Sequence, residues 1–129
     1  LIVFTLILRT KASLALALCL LASCAGLRPI AQSRLVGEWR YADKTKGCHY
    51  VFNRDGSFTG DVVDHGKLIS QFAGRWSVDA DTINYIYLGD AFDKIPVGAT
   101  DRDKLINVQA ESFTIEAADG SRRKYLRIR

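Results

Sequence analysis

From Leu35 to Arg129 apolar and polar residues alternate in short runs, each closed by turn-forming residues. Successive side chains of a strand point to opposite faces, so a period of two predicts strands. Eight are predicted, over Leu35–Ala42, Cys48–Arg54, Ser57–Val63, Lys67–Val78, Thr82–Leu88, Lys104–Ala110, Ser112–Ala117 and Arg122–Ile128. In the fourth, Leu68, Phe72, Trp76 and Val78 share one face while Gln71, Arg75 and Ser77 take the other. Ile83, Tyr85 and Tyr87 line one face of the fifth, Phe113 and Ile115 one face of the seventh, Leu126 and Ile128 one face of the eighth. Asp55-Gly56, Asp64-His65-Gly66, Asp79-Ala80-Asp81 and Asp119-Gly120 supply turn chemistry between them. No amphipathic helix pattern interrupts the series, and Ala91–Ala99 has room only for a short turn. The domain is therefore expected to be all-β. Antiparallel strands with short connections and one apolar face favour closure into a barrel, because closure removes exposed edges. A two-sheet sandwich with the same strand count is the alternative.

The segment upstream is patterned differently. Arg9-Thr10-Lys11 precedes ASLALALCLLAS, twelve residues without a charge. A basic stretch followed by an apolar core of this length reads as a secretory signal, and it is too short to span a bilayer. The residues that end it, Leu21-Ala22-Ser23-Cys24, resemble the lipobox of bacterial lipoproteins. That resemblance implies a peptidase pocket filled by Ala22 and Ser23, a diacylglycerol thioether on Cys24, cleavage before Cys24 and acylation of the new amine. Cys19 follows the bulky Leu18, does not fit the pattern and reads as part of the discarded core. The alternatives are a plain signal with a chance cysteine, or an uncleaved anchor that takes in Leu1 to Leu8. At about 0.8 kcal/mol per buried CH₂, one acyl chain binds a membrane marginally and two or three hold firmly. The chain begins with Leu1 rather than Met, which an alternative start codon or an incomplete gene would each explain. Ala25 stands where some bacterial lipoproteins carry an aspartate that retains them at the inner membrane. The resemblance thus implies the outer membrane of a bacterial envelope, facing the periplasm. The organisation expected is a signal peptide over 1–23, a lipidated tether over 24–34 and a β-barrel over 35–129.

Composition and charge then narrow the function. Hydrophobic residues at 48% and charged residues at 25% are ordinary for a globular domain rather than a disordered one. Arg9 and Lys11 belong to the leader, so the part after Cys24 carries 16 basic and 14 acidic residues. A net charge of +2 lacks the strongly basic face that nucleic acid requires, and nucleic acid is not an expected partner. With Cys19 removed and Cys24 lipidated, Cys48 has no disulfide partner in the chain and reads as a buried, inert thiol. His49 and His65 have no third ligand at metal-binding spacing. Asn53-Arg54-Asp55-Gly56 and Asp79-Ala80-Asp81 offer too few ordered oxygens for a calcium loop. Nucleophile-elbow, phosphate-loop and zinc-protease signatures are missing from the sequence, so no metal, cofactor or catalytic step is expected.

Gly37-Glu38-Trp39, on the first predicted strand, is similar to the G-x-W of lipocalin-like proteins. YVFNRDGSFTG, from Tyr50 to Gly60, and Gly74-Arg75-Trp76 resemble the small bacterial lipocalin-like domains, and Thr100-Asp101-Arg102 is faintly similar to the second lipocalin motif. The resemblance covers most of Leu35 to Arg129 and implies a small eight-stranded antiparallel lipocalin-like barrel. It further implies that Trp39 closes the barrel floor beneath an arginine of the last strand, Arg127 or else Arg129, beside Gly37. The chain is shorter than full-length lipocalins and has no C-terminal helix pattern. A barrel of eight strands is just wide enough to be filled by side chains or to hold one small ligand. Tyr50, Phe72, Trp76, Tyr85, Tyr87 and Phe92 are the candidates to line such a site, and core filling is the plainer use of the same aromatics. The longest connection, Gly89–Asp103, carries Phe92, Ile95, Pro96 and Val97 and could cover the barrel opening, meet a partner or pack on the rim. Arg122, Arg123, Lys124, Arg127 and Arg129 could meet anionic headgroups, blunt a sheet edge or face water. The expected function is binding of one small apolar or amphipathic molecule by a membrane-anchored barrel. The alternatives are a protein-interaction module, such as an envelope protease or lysozyme inhibitor, and a structural envelope component with a filled core. The small periplasmic protease-inhibitor barrels share the G-x-W strand and a cysteine where Cys48 falls, but they pair that cysteine in a disulfide.

Overall fold

The computed structural model describes residues 29–129. The signal segment, Cys19, Cys24 and the first part of the tether lie outside the described residues. A short 3-10 turn, Gln32–Leu35, leads into eight strands: β1 (Gly37–Ala42), β2 (Lys46–Phe52), β3 (Ser57–Asp64), β4 (Lys67–Asp79), β5 (Thr82–Asp90), β6 (Thr100–Val108), β7 (Ser112–Glu116) and β8 (Arg122–Arg127). Each strand pairs antiparallel with the next, and β8 returns to β1 through Trp39↔Arg127 and Arg40↔Leu126. Backbone hydrogen bonds from Glu38 to the Arg129 carbonyl (2.8 Å) and from Ile128 to the Glu38 carbonyl (2.7 Å) extend that seam. The sheet closes on itself, so the molecule is a barrel and not a sandwich.

The turns follow from their residues. His65 and Gly66 both have positive φ, 50° and 77°, as a two-residue hairpin matched to the strand twist requires. Asp43 organises the β1–β2 turn, its Oδ1 accepting from the Thr45 and Lys46 amides at 2.8 and 2.7 Å. Asp55 and Asp119 do the same for Ser57 and Ser121, each at 2.9 Å to the amide.

Alternation places the core as expected on β4, β5 and β7, where Phe72, Trp76, Ile83, Tyr85, Tyr87, Phe113 and Ile115 are all buried. Four expectations need correction. Leu35 belongs to the 3-10 turn rather than to β1, and its fully buried side chain plugs the bottom of the barrel. Leu68 turns outward beside Val63 because Ile69 is an extra residue between the pairs Val62↔Ser70 and Val63↔Leu68, which reverses the phase of the strand end. On β8 the inward face carries Arg123, Tyr125 and Arg127, while Leu126 and Ile128 point to solvent at 56% and 41% exposure. The β5–β6 connection is also shorter than expected. Gly89 pairs with Ala73, and Thr100 to Asp103 pair with β5, leaving Ala91–Ala99 as the loop. The polar Thr-Asp-Arg-Asp run has weak strand propensity, but backbone pairing to β5 overrides it.

Candidate functional site

The barrel has a sealed end and an open end, and each is built from side chains of particular strands. At the sealed end Trp39 is fully buried, donates its indole N–H to the Leu35 carbonyl at 2.8 Å and meets Phe113 edge-on at 4.7 Å. The guanidinium carbon of Arg127 stands 4.1 Å from the Trp39 ring centroid. Its nitrogens donate to the carbonyls of Ala110 (2.8 Å), Val36 (2.9 Å) and Arg34 (3.1 Å). One cation therefore covers an aromatic face and satisfies three carbonyls, two in the lead-in to β1 and one in the β6–β7 turn. Gly37, at φ 140°, makes room for it, because a Cβ there would run into the Arg127 guanidinium. Arg129 instead lies outside the barrel, 3.2 Å from Glu38.

Above the floor the interior is solid. Phe52 and Phe58 are each 1% exposed, and Trp76 packs on Phe52 at 4.8 Å while donating its N–H to the Asn53 carbonyl at 3.0 Å. Trp76 is therefore core and not lining, a correction that follows from its place near the β2–β3 turn, at the sealed end.

The open end holds a pocket of about 430 Å³, bounded by inward side chains of β1, β2, β3, β4, β5 and β8 and by the β5–β6 loop. That volume lies in the range of small-ligand sites. Tyr50, Phe72 and Tyr87 line it, with Tyr41, Cys48 and Arg123. Tyr50 packs against Phe72 (5.7 Å) and Tyr125 (5.7 Å), and Gly60 between β2 and β4 leaves the space that the Phe72 ring occupies. Tyr85 sits one layer deeper, 6.2 Å from Tyr50 and 5.5 Å from Phe58. All five tyrosines of the chain, Tyr41, Tyr50, Tyr85, Tyr87 and Tyr125, thus have inward positions in the barrel. From the loop, only Ile95 of the four apolar candidates joins this lining. Phe92 is 44% and Val97 75% exposed, so Phe92 is corrected from lining residue to outer rim. The loop is held by its own backbone, with Gly98 donating to the Tyr87 carbonyl (2.7 Å) and the Tyr87 amide to the Ala99 carbonyl (2.8 Å).

Burial sets the charge state of this interior. It pushes the phenols of Tyr50, Tyr85, Tyr87 and Tyr125 upward, so they remain neutral donors. The Cys48 thiol is raised by burial too, which makes it a poor nucleophile. Asp103 is raised by burial and by the charge of Asp101, with the Tyr85 hydroxyl partly offsetting both. Burial works against the Arg123 charge, but Tyr125, Cys48 and Tyr50 around it together outweigh that, and Arg123 stays cationic.

Outside the barrel, cross-strand pairing assembles a cluster that spacing along the chain does not show. His49 on β2 meets Glu38 on β1 at 2.7 Å and Asp61 on β3 at 3.5 Å, and Gln71 on β4 donates to Asp61 at 3.1 Å. Among the described residues no group of three or more His, Cys, Asp or Glu is arranged to hold a metal ion. The terminal cations do not form one face. Arg123 and Arg127 turn inward, Arg122 pairs with Glu116 at 3.3 Å, Arg129 pairs with Glu38, and β8 has no free edge to blunt. Tyr41 and Arg123 line the pocket although alternation and resemblance do not single them out for it. Tyr41 was within reach, because it lies two residues beyond Trp39 on the same strand face.

Fold and site together define a small lipocalin-like barrel with a filled base. A crystal structure of a lipocalin-like protein from Bacteroides uniformis ATCC 8492 is similar to it, with a TM-score of 0.55 at 19% identity over 74% of this chain and 99% of that one. At that identity the likeness shows the fold alone. No family model matches the sequence, and no curated protein matches it.

Proposed function

We propose that this chain is a lipid-anchored envelope lipoprotein whose barrel binds one small amphipathic molecule at its open end, without catalysing a reaction. The observation that carries the binding reading is the pocket of about 430 Å³ inside the barrel wall, where four aromatic rings meet charged groups of the rim. A purely structural barrel gains nothing from leaving this half unfilled, since packed side chains would stabilise it further. The anchoring reading rests on the lipobox resemblance at Leu21-Ala22-Ser23-Cys24 and places the protein at the outer membrane, facing the periplasm. Native mass spectrometry of the full chain purified from membranes tests the binding reading. A small mass that is retained natively and released on denaturation is expected. A bare protein mass under every gentle extraction condition would overturn it.

A second reading, an interaction module for an envelope protein, draws on the outward Phe92 and Val97 of the β5–β6 loop. Its mark would be a partner lost when both are changed to Ser, with small-molecule retention unaltered.

A further inference from the structure

We infer that the open-end pocket selects a compact aromatic anion, with Arg123 taking the acid group and Tyr50, Phe72 and Tyr87 taking the ring. This rests on the small-molecule reading above and specifies its ligand. The first argument is depth. Tyr50 stacks on Phe52 at 5.4 Å, and Tyr85 packs edge-on to Phe58 at 5.5 Å, so the pocket ends on a solid aromatic layer about halfway down the barrel. A long acyl chain has no channel to follow there, whereas a ring system of one or two fused cycles matches the volume and the walls.

The second argument is charge. Arg123 lines the pocket and, among the described residues, has no carboxylate within ion-pairing distance. Asp43 in the lining and Asp101 near Tyr87 bring negative charge to this end, but no acid of the opening pairs with Arg123. Asp43 is held by the Thr45 and Lys46 amides and by the Tyr41 hydroxyl, Asp119 by Ser121, and Glu116 by Arg122. Asp103 lies below, against Tyr85. Lys46 at the rim adds a second positive charge to the same opening. A half-buried guanidinium beside neutral phenols is a forked donor awaiting a planar acid, and a carboxylate accepts both of its prongs. Aromatic walls and a guanidinium without a carboxylate partner together specify an aryl carboxylate or a compound of equivalent shape and charge.

Titration calorimetry of the full chain with 2-naphthoate, its neutral counterpart 2-naphthylmethanol, and laurate tests this. The acid is expected to bind about tenfold or more tightly than the alcohol, as a charge-assisted hydrogen bond predicts, and more tightly than laurate. Arg123→Gln should erase the preference for the acid while leaving the affinity for the alcohol within about threefold. Equal binding of acid and alcohol, or a preference that survives in Arg123→Gln, would overturn the anion assignment and leave the pocket reading standing. Tighter binding of laurate would overturn the compact ring. No binding of any of the three would overturn both this inference and the binding reading it rests on. The wild-type comparison needs no variant. If Arg123→Gln does not fold, Arg123→Lys should weaken the acid more than the alcohol, and an equal loss would count against the inference.

Discussion

Arg123 and Arg127 sit four residues apart on one face of β8 and do different things. Arg127 is used up by structure: it lies on the Trp39 ring and donates to three carbonyls. Arg123 has a phenol and a thiol beside it and an opening in front. Arg127→Ala uncovers an aromatic face and strands those carbonyls, so it should cost about 2–4 kcal/mol of stability. Arg127→Lys should recover less than half of that, because an ammonium lacks the fork. Urea unfolding of both variants against wild type measures the difference. The same residues explain why β8 was misread. Its sequence alternates Arg, Lys, Leu with Arg, Tyr, Arg, and a period-two reading puts Leu126 and Ile128 inside because they are apolar. Inward arginines defeat that rule. The rule held on β5 and on β4 beyond the bulge at Ile69, where no arginine takes an inward position.

At the scale of elements, the turns were legible and the loop was not. Asp-Gly pairs and Asx residues announce their own geometry over three or four positions, so each predicted hairpin turn lies between a pair of strands. Asp43 illustrates the energetics. Two backbone amides and the Tyr41 hydroxyl lower its carboxyl to about 2, from an unfolded value near 4. A carboxyl depressed on folding contributes stability above its unfolded value and loses it as the pH falls through the folded one. Wild-type protein should therefore lose stability between about pH 4 and pH 2. Asp43→Asn should be less stable at pH 7 and fall less steeply over that window, which denaturation midpoints at pH 7, 4 and 2 will show. The loop Ala91–Ala99 gave no such signal, since its four apolar residues look alike in sequence and only Ile95 turns in. Ile95→Ala should weaken binding of an aromatic probe severalfold, while Phe92→Ser leaves it within about twofold, both read by titration. A larger effect from Phe92→Ser would place the binding surface on the outer rim.

For the whole molecule, strand count and closure could be anticipated from the number of short alternating runs, because eight strands with one apolar face have few ways to hide their edges. How far the interior is filled could not. Whether a barrel is hollow depends on which layer each aromatic occupies, and that depends on register and bulges such as those at Ile69 and Leu88. The His49, Glu38 and Asp61 cluster was hidden for a related reason, since its members are neighbours across strands and not along the chain. The proposed anchor is tested at this scale as well. Cys24→Ser should shift the protein from the membrane fraction to the soluble fraction and abolish incorporation of labelled fatty acid, while its thermal unfolding is unchanged. Retention of both would remove the lipid anchor.

The route by which the chain enters the barrel has a consequence for how the domain stands. Ile30 bonds to the Ala80 carbonyl at 3.0 Å, the Gln32 side chain accepts from the Val78 amide at 3.0 Å, and Leu35 is the plug, so the segment Ile30–Leu35 is clasped to the sealed base. Under the proposed lipid anchor, the bilayer would lie on the side of that base, like a table under a cup standing on its stem. Cargo would then come and go through the surrounding water, and direct handover from the lipid phase would require the whole domain to tip over.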